Sequence, residues 1–379
     1  MFNITAPKND ENYALFEHYL ARSFSFAVTG LTTLLRLLLI QKIQKITEKK
    51  VLVITSTEQN ALKYQNDLKK AFGLNADLIP FQNISMYESV SPNRYDYSEQ
   101  VRILTEKPDV VIAPVKTLLE KFPTQKFYEE NSITVKVGDE IDLKKLIQQF
   151  VDLGYKRSTM VSDIGEFSVR GDIIDVFSLD KNAVRIELWG DEIVDIRYFN
   201  NENQKSIEKI KSAKIMPMYK FTLKNGIPSE IKKEDEEGYF EGIEVYQNYF
   251  NQELVSILDY FKDYIIVLDE TSELYAKYEF VDKNFEEQLQ ENLKLGLNTD
   301  LRGRNHIPFE DFIQKSAGFV KVGLNNFIDS DTDDIIEFNS QPVQNFGAKL
   351  DDIAGYINDK QNYRIIIATD YPERVKEIL

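Results

Sequence analysis

No cysteine occurs among the 379 residues, which excludes a disulfide framework and any thiolate metal site and agrees with a reducing compartment. Histidine is almost as scarce. There are two, and one of them, His18, lies in an N-terminal helical pattern, so histidine catalysis and histidine metal sites have little to draw on. Long apolar runs are missing too: the longest, "LLRLLLI" from Leu34 to Ile40, is broken by Arg36 and falls well short of the ~18–20 residues of a membrane span. The N-terminal "NDENYALFEHYLARSF" is too charged for a signal peptide. A soluble, cytoplasmic protein with no membrane partner is therefore expected. Basic clusters are likewise absent beyond "KITEKK" at Lys45–Lys50, against a formal net charge of -16, so any affinity for a polyanion such as DNA should be weak.

What is present is ample core material. With 42% hydrophobic and 12% aromatic residues the chain is built to fold, and its length exceeds what one core serves, so two or three domains are expected. "SFAVTG" (Ser25–Gly30) reads as a strand ending at glycine, and Leu31, Leu34, Leu35, Leu38 and Leu39 then recur at helical spacing. "KKVLVITST" follows as a buried strand, "EQNALKYQNDLKKAFG" as an amphipathic helix stopped by Gly73, and "PDVVIAPVKTLLEKF" as strand plus helix. This alternation over residues 25–122 predicts a doubly wound parallel α/β sheet. Near residue 130 the pattern changes to short alternating strands around one helix, "DLKKLIQQFVDLGY", which predicts a β-rich α+β insert. Residues 247–262 read as a helix, "YIIVLDE" (Tyr264–Glu270) as a buried strand, and a long acidic helix runs from Glu273 to about Leu295. The expected domains are residues 1–128 and 219–335 as two halves of the parallel-sheet domain, 129–218 as the insert, and 341–379 as the truncated start of a further small α/β domain.

A strand, a glycine, a helix and a later strand ending in Asp269-Glu270 form the geography of a P-loop motor. Such a loop needs glycines so that backbone N–H groups can close round phosphates, a lysine for the outer phosphates, and a hydroxyl on Mg²⁺. "TGLTTLLRLLL" offers Gly30 but neither second glycine nor lysine. Arg36 is conceivable as a surrogate cation, but reads more simply as an exposed arginine on a helix. Asp269 and Glu270 read as a solvated strand end or, in this context, as the relic of a metal site. No catalytic residue is assigned, and neither ATP nor Mg²⁺ is expected to bind these residues.

The stretch "GEFSVRGDIIDVF…VRIELWGDEIVDIRYFN…QKSIEKI" resembles the domain shared by the excision-nuclease subunit UvrB and the transcription-repair coupling factors. UvrB keeps an intact P-loop and carries a long tyrosine-rich β-hairpin that locks onto damaged DNA. Here the loop is degenerate, and residues 77–110 leave no room for that hairpin. Those departures are similar to the N-terminal region of the coupling factors, over about residues 10–330. The resemblance implies a RecA-like domain that has lost its motor, split by an inserted domain that docks UvrA. It also implies a full-length protein with an ATP-dependent DNA translocase and an RNA-polymerase contact in parts not contained in this chain, and a C-terminal domain that masks the UvrA site. An active helicase and a UvrB-like damaged-DNA-binding module are the alternatives.

The single tryptophan sits within that stretch. In "AVRIELW" Val184, Ile186 and Leu188 share one face and Arg185, Glu187 and Trp189 the other, because successive strand side chains alternate. Arg170 falls on the polar face of "EFSVR" in the same way. Arginine and tryptophan are enriched among interface hot spots, although Trp189 could instead cover the edge of its own hairpin. The resemblance carries UvrA contact onto Arg170, Arg185 and Trp189. The neighbouring acids Asp172, Asp175 and Asp191 read as turn and surface residues.

Overall fold

The computed structural model describes residues 10–82, 91–180, 182–231, 240–250, 253–295, 306–327, 334–343 and, in the last stretch, 350–360, 362–363, 365, 367 and 372–378. Its strands, in chain order, are β1 (Phe26–Thr29), β2 (Val51–Thr55), β3 (Ala76–Leu78), β4 (Val110–Pro114), β5 (Lys121–Pro123), β6 (Ile133–Lys136), β7 (Lys156–Arg157), β8 (Glu166–Arg170), β9 (Ile173–Val176), β10 (Ala183–Trp189), β11 (Glu192–Phe199), β12 (Ser206–Ile210), β13 (Ser212–Ile215), β14 (Leu254–Ser256), β15 (Ile265–Asp269), β16 (Lys321–Leu324) and β17 (Ile335–Glu337).

Seven of these form an all-parallel sheet in the order β17-β1-β16-β15-β2-β4-β3. The continuous apolar content of "VLVIT" has its cause here: every residue of β2 is buried, because helices cover both faces. Val51 and Val53 point to the side packed by Phe16, Leu37, Ile40, Leu68 and Phe72. Leu52 and Ile54 point to the side packed by Val101, Leu104, Leu274 and Tyr278. Gly73 ends the Glu58–Phe72 helix with φ 63°, a left-handed cap that costs glycine little. The result is a doubly wound parallel sheet, as the alternation predicts, consistent with the RecA-like domain that the resemblance implies.

The β-rich domain is inserted between β4 and β15, which both lie in the parallel sheet. Its six strands run in the order β12-β11-β10-β9-β8-β7. On the inner face Phe167, Ile174, Val184, Ile186, Leu188, Ile193 and Ile196 pack with Leu146 and Phe150 of the Leu143–Asp152 helix. Strands β6 and β13, at its entry and exit, pair antiparallel from Ser212 opposite Lys136 to Ile215 opposite Ile133. At the seam with the parallel-sheet domain, Lys220 Nζ lies 3.0 Å from Glu120 Oε2, and both residues are buried. Arg94 Nη1 donates to the Ile164 carbonyl at 2.7 Å.

Two expectations fail. The segment read as one helix over 247–262 is instead a 3-10 turn (Ile243–Phe250), strand β14 and a short helix, Ile257–Tyr260. Leu254 to Ser256 pair with β5, so an available strand partner overrides helical spacing. In the Thr33–Thr47 helix the buried positions are Arg36, Leu37, Leu39, Ile40 and Ile43; of the expected stripe Leu31 and Leu39 are buried, Leu35 and Leu38 partly so, and Leu34 is exposed. With apolar residues on nearly every side, spacing does not select a face. Residues 1–338 form one compact unit and 339–379 another. The second contains helices Leu350–Asp359 and Pro372–Ile378, and most of the strand expected between them lies outside the described residues.

Candidate functional site

Arg36 is not the exposed arginine that its helical setting suggests. It is 6% exposed, and its guanidinium spans the end of β15. Nη1 donates to Asp269 Oδ1 and to the Leu324 carbonyl, each at 2.6 Å. Nη2 donates to Glu270 Oε1 and, at 2.8 Å, to Asn326 Oδ1. Tyr64 donates its hydroxyl proton to the same Asp269 Oδ1 at 2.7 Å. Asp269 is buried as well, so the strand end is not solvated. Burial pushes the Asp269 carboxyl above its ordinary range, with Tyr64 and Arg36 drawing it back down and the neighbouring Glu270 adding to the rise. For Arg36 burial alone would lower the pKa, and the surrounding Tyr64, Asp269 and Glu270 outweigh it, so the guanidinium stays charged.

Gly30 has a specific local task. Its φ is +69°, and a Cβ there would meet the Phe338 carbonyl oxygen at 1.7 Å. Phe338 N–H donates to the Thr29 carbonyl. The backbone leaving β17 thus crosses the loop at the glycine. Thr32 caps the following helix, accepting from Leu35 N–H at 3.4 Å. The structure therefore brings Arg36, Asp269 and Glu270 together and sets Gly30 against Phe338. Sequence reading missed Tyr64 and Asn326, neither of which belongs to a recognisable motif. Among the described residues no group of three or more His, Asp or Glu side chains could hold a metal ion.

The second site is the outer face of the inserted sheet. Gly190, at φ +62°, starts the two-residue turn that joins β10 to β11 and leaves Trp189 opposite Glu192. Trp189 is 80% exposed. One strand register inward, Asp175 of β9 lies opposite Arg185 of β10 and Ser168 of β8. Asp175 is fully buried, contrary to its reading as a surface acid, because two arginines close over it. Arg185 binds it bidentately, Nε to Oδ1 at 2.6 Å and Nη2 to Oδ2 at 2.9 Å. Arg170 Nη2 reaches Oδ2 at 2.7 Å.

The two arginines differ in exposure. The Arg170 side chain is 50% exposed and that of Arg185 only 13%. Arg185 also donates to the Gln204 carbonyl and Oε1 at 3.3 and 3.2 Å, and stacks on the Phe199 ring 4.4 Å from its centroid. It is therefore held within the fold more than displayed on it, although it lies on the polar face as the alternation predicts. Asp175 was legible only as an acid in a strand flanked by arginine-bearing strands, and pairing was needed to bring the three together.

Residues 133–221 match the family model of the UvrB interaction domain. The match covers the inserted β-rich domain. Arg170, Asp175, Arg185 and Trp189 all lie within it, whereas Gly30, Arg36, Asp269 and Glu270 lie outside. Over 93% of its length the chain is similar to the transcription-repair-coupling factors of Staphylococcus aureus strain MRSA252, at 26% identity over 395 residues, and strain USA300, at 26% over 397. It is similar also to that of Staphylococcus haemolyticus strain JCSC1435, at 24% over 395 residues. The chain spans about a third of the length of these relatives, 34% of the first two and 33% of the third.

Proposed function

We propose that this chain is the non-catalytic, UvrA-docking part of a transcription-repair coupling factor. The observation that carries the reading is an 80%-exposed tryptophan and a half-exposed arginine on the same outer sheet face, within residues that match the UvrB interaction domain. A large aromatic left in water at the rim of a rigid sheet is the residue type that anchors protein interfaces. In this reading the whole protein is an ATP-dependent DNA translocase that displaces stalled RNA polymerase, and this region recruits UvrA to the site for nucleotide excision repair.

The loop at Gly30 supports a non-catalytic role for these residues. A bound Mg²⁺ would have to displace the Arg36 guanidinium from Asp269 and Glu270, and a phosphate would have to displace the Phe338 backbone from Gly30. The residues present do not suit Mg-ATP, and no step is assigned to it here.

Two measurements test the proposal. Purified UvrA should be retained by the immobilised chain and released by Trp189→Ala; failure of the wild-type chain to retain it refutes the docking role. Calorimetry with Mg-ATP should give no heat. Binding tighter than about 100 μM, roughly 5.5 kcal/mol, would mean that Arg36 swings away and that the site still functions.

A further inference from the structure

Resting on that docking role, the arrangement around Asp175 separates the three docking residues by task. We propose that Asp175 is a positioning residue of the docking face, whose buried carboxylate holds the Arg170 guanidinium ready for an acidic group of the partner, with Arg185 as the buttress that makes the buried carboxylate tolerable. Asp175 is fully buried and cannot touch a partner itself. Both of its oxygens are engaged, Oδ1 by Arg185 Nε and Oδ2 by Arg185 Nη2 and Arg170 Nη2.

Arg185 spends its remaining contacts on Gln204 and the Phe199 ring. Arg170, in contrast, makes a single hydrogen bond among the described residues, through Nη2, and is half exposed. Asp175 takes one of the two Nη2 hydrogens, so the other, together with Nη1 or Nε on the same edge, forms a fork that can donate bidentately to a carboxylate. Anchoring one nitrogen in the free protein removes part of the ordering cost that a long side chain otherwise meets on binding.

Charge points to the same partner chemistry. Two guanidinium groups share one carboxylate in the Arg170, Asp175 and Arg185 row, leaving one positive charge. The adjacent row is balanced: Arg197 pairs with Glu187 and Asp195, and Lys209 with Asp195. Within these two rows the unmatched positive charge is thus at Arg170, in the same sheet as exposed Trp189. The complementary surface carries a carboxylate facing Arg170 and an apolar hollow for the indole.

The test uses the whole chain with UvrA as probe. Asp175→Asn and Arg170→Gln should each weaken binding about tenfold, and the double variant should bind no more weakly than Arg170→Gln alone, because the first acts through the second. Additive losses overturn the proposal. Survival of binding in a folded Asp175→Asn chain, with loss in Trp189→Ala, overturns the clamp and leaves the docking role standing; no binding by the wild-type chain removes both. Since Asp175→Asn leaves the buried Arg185 charge without its carboxylate and can unfold the domain, side-chain NMR of the native protein supplies a second readout. Hindered rotation of the Arg170 guanidinium supports the clamp, and rotation as free as that of exposed Arg157 overturns it.

Discussion

Trp189 and Arg185 lie four residues apart on one face of β10, yet their removal should have opposite consequences. The indole is 80% exposed, so Trp189→Ala deletes little buried area. The thermal midpoint should stay within about 2 °C, while UvrA affinity falls by about 2 kcal/mol or more, roughly thirtyfold. Arg185 is 13% exposed and shares a buried carboxylate. Arg185→Glu would set two carboxylates together in the dry sheet, and breaking a buried pair costs about 3–5 kcal/mol. A large drop in midpoint is expected for that variant, so its effect on binding would report unfolding. A stable Arg185→Glu chain that no longer binds UvrA would place Arg185 in the contact itself. Strand alternation assigned both residues to one face, which is correct. Exposure was not legible, because it depends on the Gln204 turn and on Phe199 closing over one end of that face.

At the scale of elements, the parallel sheet was readable because β2, β4 and β15 are short, fully buried and rich in β-branched apolar residues, a composition that suits strands covered on both sides. Less readable were segments whose identity depends on a distant partner. β14 is a strand because β5 lies beside it, and Arg36 is buried because β15 and β16 present Asp269, Glu270 and the Leu324 carbonyl to it. Gly30 shows the same dependence. Its place after a strand and before a helix suggested a phosphate loop, whereas its neighbour is the Phe338 carbonyl. Gly30→Ala should accordingly destabilise the chain by more than ~1 kcal/mol, through positive φ and backbone overlap together. Thermal denaturation measures it, and an unchanged midpoint would show that the β17 exit can move off the loop.

Across the whole molecule, the insert and the parallel-sheet domain meet at Lys220 and Glu120. Lys220 Nζ also lies 4.4 Å from the Phe122 ring centroid, and Glu120 accepts from Gln82 N–H and Gln100 as well. Lys220→Met leaves that carboxylate buried without its cation, a loss of about 3–5 kcal/mol. Adding Glu120→Gln should restore part of it, since a neutral amide in the same place has less to lose. If the double variant is less stable than Lys220→Met, the pair is not coupled in this way.

The same charge arrangement decides how the molecule should meet DNA. Its formal net charge is -16, and among the described residues Arg36, Arg102, Arg170, Arg185, Arg197, Lys209 and Lys220 are among the cations engaged with carboxylates. The cations as a whole are outnumbered, 46 Lys and Arg against 62 Asp and Glu, so the net field repels a duplex and opposes the counterion release that supplies most of non-specific affinity. Arg170 retains a free fork, but one fork cannot outweigh the repulsion of the whole. Fluorescence anisotropy with a lesion-bearing duplex at about 150 mM salt should therefore show negligible binding, and the little seen at lower salt should be the same for damaged and intact DNA. Submicromolar, lesion-selective binding would contradict this, and would move the chain from docking module to damage sensor.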